Sequence, residues 1–104
     1  MRPSNGKALS RTGILRALKL RAGDLKAFGV RRIGLFGSYA RRTPRPRSDV
    51  DILVQLDDNS VTFDNYMGLL FYLEELFERR VDLVMVQDIK PHFRDAILQE
   101  VAYA

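Results

Sequence analysis

Residues 37–51, Gly-Ser-Tyr-Ala-Arg-Arg-Thr-Pro-Arg-Pro-Arg-Ser-Asp-Val-Asp, decide how the rest of the chain must fold around them. Just upstream, Arg31 to Phe36 (RRIGLF) is a brief apolar run suited to a buried strand, and it ends at a glycine followed by a hydroxyl residue. Gly37 and Ser38 therefore fall in a turn. With Tyr39, Ala40 and Arg41 opening a helical turn, the backbone N–H groups near Ser38 point at one spot beyond the strand end, where an anion is held. Glycine lets such a ligand approach the main chain closely.

The far end of the stretch carries the opposite charge. From Asp49 to Leu56, Val50, Ile52, Val54 and Leu56 alternate with Asp49, Asp51, Leu53 and Gln55. In a strand this period puts both carboxylates on one face. Their Cα atoms then lie roughly 6.5 Å apart, close enough for the side chains to share a hard cation. Two such like charges repel, and a divalent ion is the simplest way to keep both ionised. A phosphate cradle beside paired carboxylates points to a metal-dependent nucleotide site.

At 104 residues the chain is expected to form one domain, residues 1–104, with residues 1–9 flexible and no room for a separate substrate domain. Its 46% hydrophobic and 29% charged residues describe a globular protein. No apolar run is long enough for a membrane span, and the first residues lack the apolar core of a signal peptide, so a cytoplasmic location is expected. The absence of cysteine removes disulfides and thiolate metal sites. Net charge is +4, and six arginines fall between Arg31 and Arg47. They suit a triphosphate as well as a nucleic acid, and no stacking aromatics interleave them, so direct nucleic-acid binding is not expected.

In chain order, a helix is expected from Ser10 or Thr12, either of which can cap it, through Phe28, with Gly29 ending it. Strand one spans Arg31 to Phe36. The two prolines in Thr43-Pro44-Arg45-Pro46-Arg47 impose a loop, strand two runs from Asp49 to Leu56, and Asp57 to Ser60 is a turn. Thr62 to Arg79 reads as a helix with Phe63, Tyr66, Met67, Leu70, Leu73 and Phe77 on its apolar face. Strand three, Arg80 to Val86, carries Asp82 in so apolar a setting that a buried carboxylate there requires a partner, which a metal on the neighbouring strand supplies. Pro91 opens a last helix with Phe93, Ile97 and Val101 inward. His92, the single histidine, reads as a helix-start residue rather than a zinc ligand. This order gives an α+β layer, a small mixed β-sheet backed by helices, in which the helix joining strands two and three allows them to be parallel neighbours while the strand order stays open.

Gly37-Ser38, ten intervening residues Tyr39 to Ser48, then Asp49-x-Asp51 resembles the signature of the nucleotidyltransferase superfamily that includes DNA polymerase beta and kanamycin nucleotidyltransferase. More narrowly, the short chain is similar, from about Gly29 to Tyr103, to minimal nucleotidyltransferases, the MntA-type antitoxins paired with HEPN-domain toxins. The resemblance implies the nucleotidyltransferase fold with the active site along one sheet face. It implies Asp49, Asp51 and Asp82 as catalytic metal ligands for two Mg²⁺ ions, and Gly37, Ser38, Arg41, Arg42 and Arg47 as nucleotide-binding residues. It further implies transfer of AMP from ATP to a tyrosine hydroxyl of a HEPN-type ribonuclease toxin, silencing it. Arg42 departs from the family pattern, standing where many relatives have glycine. Two other readings stay open: a non-catalytic module that neutralises its partner by contact, and a small-molecule nucleotidyltransferase of the aminoglycoside-modifying kind.

Overall fold

The alternating run after Asp49 does form a strand in the computed structural model, which describes residues 9–45 and 48–104. It is β2 (Val50–Leu56), one residue shorter at its start than expected. Antiparallel to it runs β1 (Val30–Phe36), and on its other side β3 (Val81–Met85) lies parallel. A two-residue strand, β4 (Ala102–Tyr103), pairs with the outer side of β1 and completes a mixed sheet of order β3-β2-β1-β4. The parallel pair is joined through helix α4 (Phe63–Phe77), as parallel strands require a crossover connection. The architecture is the α+β layer that the sequence predicts.

The two faces of the sheet are unequally covered. Ile33, Leu35, Val50, Ile52, Val54 and Leu83 pack with Ile14, Leu18, Leu25, Leu69, Leu73 and Phe77 into the main core. On the opposite face only a small cluster forms, from Phe36, Leu53 and Ile89 with Val84, Ile97 and Val101 against it. Asp51 lies between two main-core residues and so belongs to this thinly covered face, as does Asp82.

Ser10 caps the first helix by accepting the Gly13 N–H at 3.0 Å. The helix does not run unbroken to Phe28: Arg21 leaves helical geometry (φ −99°, ψ 17°), dividing it into α1 (Arg11–Leu20) and α2 (Ala22–Ala27). Gly23 and Asp24, both weak helix formers, hold the chain loosely there, and that permits the break. Gly29 ends α2 with φ +82°, and a Cβ there would come within 1.9 Å of Ser60 Oγ.

Helix α4 begins at the Thr62 cap, which accepts the Asn65 N–H, and buries Leu69, Leu73 and Phe77. Phe63, expected inward, is 76% exposed. This helix is apolar nearly all round, so its period alone does not choose a face; the set spaced by four residues from Leu69 meets the sheet. Strand β3 is shorter than the expected Arg80 to Val86, and Val86–Asp88 forms a 3-10 turn instead. Helix α5 (Pro91–Glu100) starts at its proline as expected. Ile97 and Val101 reach the small cluster, whereas Phe93, also expected inward, is 53% exposed and lies against His92, because the first half of α5 meets no core. Strand β4 is too short to carry a periodic signal. It depends on Gly34, where a Cβ would come within 2.7 Å of Val101 Cγ2. Residues 1–8 of the expected flexible lead lie outside the described residues, and no described helix is long and apolar enough to cross a membrane.

Candidate active site

Beyond the end of β1, Phe36 is extended and Gly37 turns left-handed, with φ +76°, to start the short helix α3 (Gly37–Ala40). Any Cβ at Gly37 would sit 1.9 Å from Asp51 Oδ2. Glycine is required twice over at this position, by its dihedral and by the carboxylate pressed against its backbone. The contact follows from register, since Phe36 is paired with Asp51 across β1 and β2.

Helix α3 stops just as locally. The Thr43 N–H bonds the Ser38 carbonyl at 2.9 Å and the Arg42 N–H bonds that of Tyr39 at 3.2 Å, the two bonds of a Schellman cap. Arg42 holds the left-handed position of that cap with φ +62°. Glycine is the usual residue there, which accounts physically for the glycine of many relatives.

Register also sets two of the carboxylates opposite each other. Asp51 faces Asp82 across the parallel β2–β3 pair, and Asp49 stands just before β2. Asp51 is half-buried, and its pKa is raised from 3.8 to about 6. Burial is the largest cause, followed by the negative charges of Asp82 and Asp49; Arg41 pulls the other way, and Glu100 adds to the rise. Asp82 itself is exposed, contrary to the expectation of a buried carboxylate in need of a partner. It lies on the edge strand and on the thinly covered face. Its charge is nevertheless felt by Tyr66, whose phenol is raised above its ordinary value by burial first and then by Asp82 and Asp88.

Oxygen donors facing one another with excess negative charge fit a hard cation such as Mg²⁺. Among the described residues no three acidic side chains form a ready-made metal cage.

The arginines divide. Arg41 Nη1 donates to Glu100 Oε1 at 2.9 Å, and the other oxygen of that carboxylate accepts the Gly37 N–H at 2.8 Å. Glu100 was missed in the sequence, where a glutamate ending an amphipathic helix carries no distinguishing signal. Arg42 is not among the charges acting on Asp51; it lines a hollow of about 270 Å³ with Ser10, Arg11 and Tyr39. Arg47 lies outside the described residues. Arg31 pairs with Asp57 at 2.6 Å, and Arg32 stacks 3.9 Å above the Tyr103 ring, so these two serve the scaffold. A hollow of about 490 Å³ is lined by Phe63 and Tyr66 of α4, Leu83 and Met85 of β3, and Asp88.

A glycine-nucleated helix start thus lies in contact with one of two facing strand carboxylates. A profile of the nucleotidyltransferase domain matches residues 15–104, and the chain belongs to that family. It is 45% identical over 76 residues to the protein adenylyltransferase MntA of Thermococcus cleftensis, covering 73% of this chain and 76% of that protein. Its fold superposes with a TM-score of 0.79 and 28% identity on a structure described provisionally as a minimal nucleotidyltransferase, over 93% of this chain and 98% of the other. A complex of tri-AMPylated HEPN toxin from Shewanella oneidensis with MNT antitoxin matches with a TM-score of 0.55 at 20% identity, over 82% of this chain and 69% of the other, a likeness of fold alone. In size and sheet layout the chain is a minimal nucleotidyltransferase, and it is an enzyme.

Proposed function

We propose that this enzyme transfers AMP from ATP to a tyrosine hydroxyl of a HEPN-domain ribonuclease toxin and thereby acts as its antitoxin. The observation that carries the reading is the juxtaposition of the Gly37 turn with Asp51 and, through Asp51, with Asp82. The adenylyltransferase name of the Thermococcus relative and the AMPylated toxin in the Shewanella complex support the choice of AMP and of a protein acceptor.

On this reading the Gly37 turn lets the triphosphate come close to the backbone, and the amides and hydroxyl of Ser38 hold its outer phosphates at the start of α3. Arg41 neutralises phosphate charge through the guanidinium N–H groups that Glu100 leaves open. Asp49 and Asp51 would hold the Mg²⁺ that accompanies the nucleotide, and Asp82 with Asp51 would hold a second ion. A metal bound there would supply stabilisation of the developing charge and a lower pKa for the attacking hydroxyl. The hydroxyl oxygen bonds to the α-phosphorus, the bond to the bridging oxygen breaks, pyrophosphate departs, and Asp82, exposed on the acceptor side, takes the hydroxyl proton. On this reading the partner protein supplies the wall over the site.

The test is incubation of the chain and a purified HEPN-domain ribonuclease with labelled ATP and Mg²⁺. Label is expected on the partner and is lost with Asp49→Ala. No label, or undiminished label with that variant, overturns the reading. Neutralisation of the toxin in cells by Asp51→Asn would instead establish the contact-only mechanism, and adenylylation of an aminoglycoside without partner the small-molecule one.

A further inference from the structure

We propose that Glu100, at the end of α5, is a positioning residue of the nucleotide site, holding Arg41 and the Gly37 turn in register for the phosphates. The inference rests on the nucleotide reading of that site. One carboxylate ties together two groups from opposite ends of α3: Oε2 accepts the Gly37 N–H at 2.8 Å and Oε1 accepts from Arg41 Nη1 at 2.9 Å. The partners are 63 and 59 residues away in sequence, so neither bond follows from local helix geometry.

Glu100 is itself held firmly. Three residues before it Ile97, and just after it Val101, pack on the small apolar cluster, and Ala102 pairs with Leu35 in the sheet. The glutamate therefore enters the site from two anchored neighbours. Its side chain is 25% exposed, against 56% for Arg41, so the carboxylate is the better-fixed member of the pair.

Two consequences follow for a phosphate ligand. First, an exposed arginine has many rotamers, and fixing one guanidinium N–H in advance reduces the ordering cost of using the others. Second, because the Gly37 N–H is already taken, the amides left at the start of α3 are those of Ser38 and Tyr39, and Glu100 thus sets which donors meet the ligand. A carboxylate placed among Asp49, Asp51 and Asp82 adds like charge to the site, and its two bonds offset that cost.

The experiment is a double-substitution cycle on the full chain, read by calorimetric binding of a non-hydrolysable ATP analogue with Mg²⁺ and by thermal melting. Arg41→Ala is expected to weaken binding roughly tenfold. Glu100→Gln, which keeps an acceptor for Gly37 but loses the charged pairing, is expected to weaken it roughly fivefold with little change in Tm, and Glu100→Ala to weaken it further. With Arg41 already alanine, Glu100→Gln should have no additional effect, since the residue acts through the arginine. Unchanged or tighter binding by Glu100→Gln overturns the proposal, the latter because the carboxylate would then be blocking the phosphate position. Equal losses by Glu100→Gln with and without Arg41 also overturn it, revealing a merely structural tie. Failure of the wild type to bind the nucleotide, or indifference to Arg41→Ala, overturns the nucleotide reading itself and this inference with it; a loss confined to Arg41→Ala overturns only the role of Glu100.

Discussion

Asp51→Asn should make the metal-free protein more stable at about pH 8 while abolishing nucleotidyl transfer. Asp51 holds its proton to about pH 6 in the folded chain, chiefly because half-burial disfavours the charged form and then because Asp82 and Asp49 repel it. In the unfolded chain it ionises near 3.8. Between those values the folded state binds the extra proton, so the contribution of this group to stability is full below 3.8 and is lost as pH rises through about 6. A shift of that size corresponds to at most roughly 3 kcal/mol. With half the carboxylate open to water, screening leaves about 1–2 kcal/mol.

Asparagine keeps the shape of the side chain without the charge and so removes that penalty. In a domain of this size the gain is about 4–10 °C in Tm at about pH 8, shrinking towards zero at about pH 4, where the folded wild type is neutral at this position too. Thermal melts followed by circular dichroism, in chelator at both pH values, measure the difference. Added Mg²⁺ should then raise the Tm of the wild type and not that of the variant, because only the charged pair has a use for the ion. A variant Tm at about pH 8 equal to or below that of the wild type would refute the account of the site as a place of uncompensated negative charge.

Two further substitutions probe the turn between the strands. Gly37→Ala forces a Cβ into the space of Asp51 Oδ2 at a positive φ, and it should cost roughly 1–3 kcal/mol in urea unfolding and lower the transfer rate at least about tenfold; wild-type behaviour in both would contradict the required contact. Arg42→Gly relieves the left-handed position of the α3 cap, and after allowance for the greater freedom of glycine in the unfolded chain it should stabilise the protein by about 0.5–1 kcal/mol; a loss of stability would show that the Arg42 side chain is worth more than its strain.

What the chain states locally is legible without coordinates. The turn at Gly37, the strand that sets Asp51 on one face, the Ser10 cap and the stop at Gly29 each depend on a few adjacent residues. Spacing alone then places the Gly37 turn and the carboxylates in one signature. What tertiary structure decided was every choice between locally equivalent options. Helix α4 could have buried Phe63 and Met67; it buries Leu69 because that row meets the sheet. Asp82 could have been enclosed; it is exposed because β3 became the edge strand. Glu100 could have been one more solvated acid, and it entered the site because β4 paired with β1 and carried the end of α5 onto the Gly37 turn. Periodicity and dihedral preference act over one or two helical turns, whereas the face that is buried and the charge that meets another are set by packing between segments up to 63 residues apart.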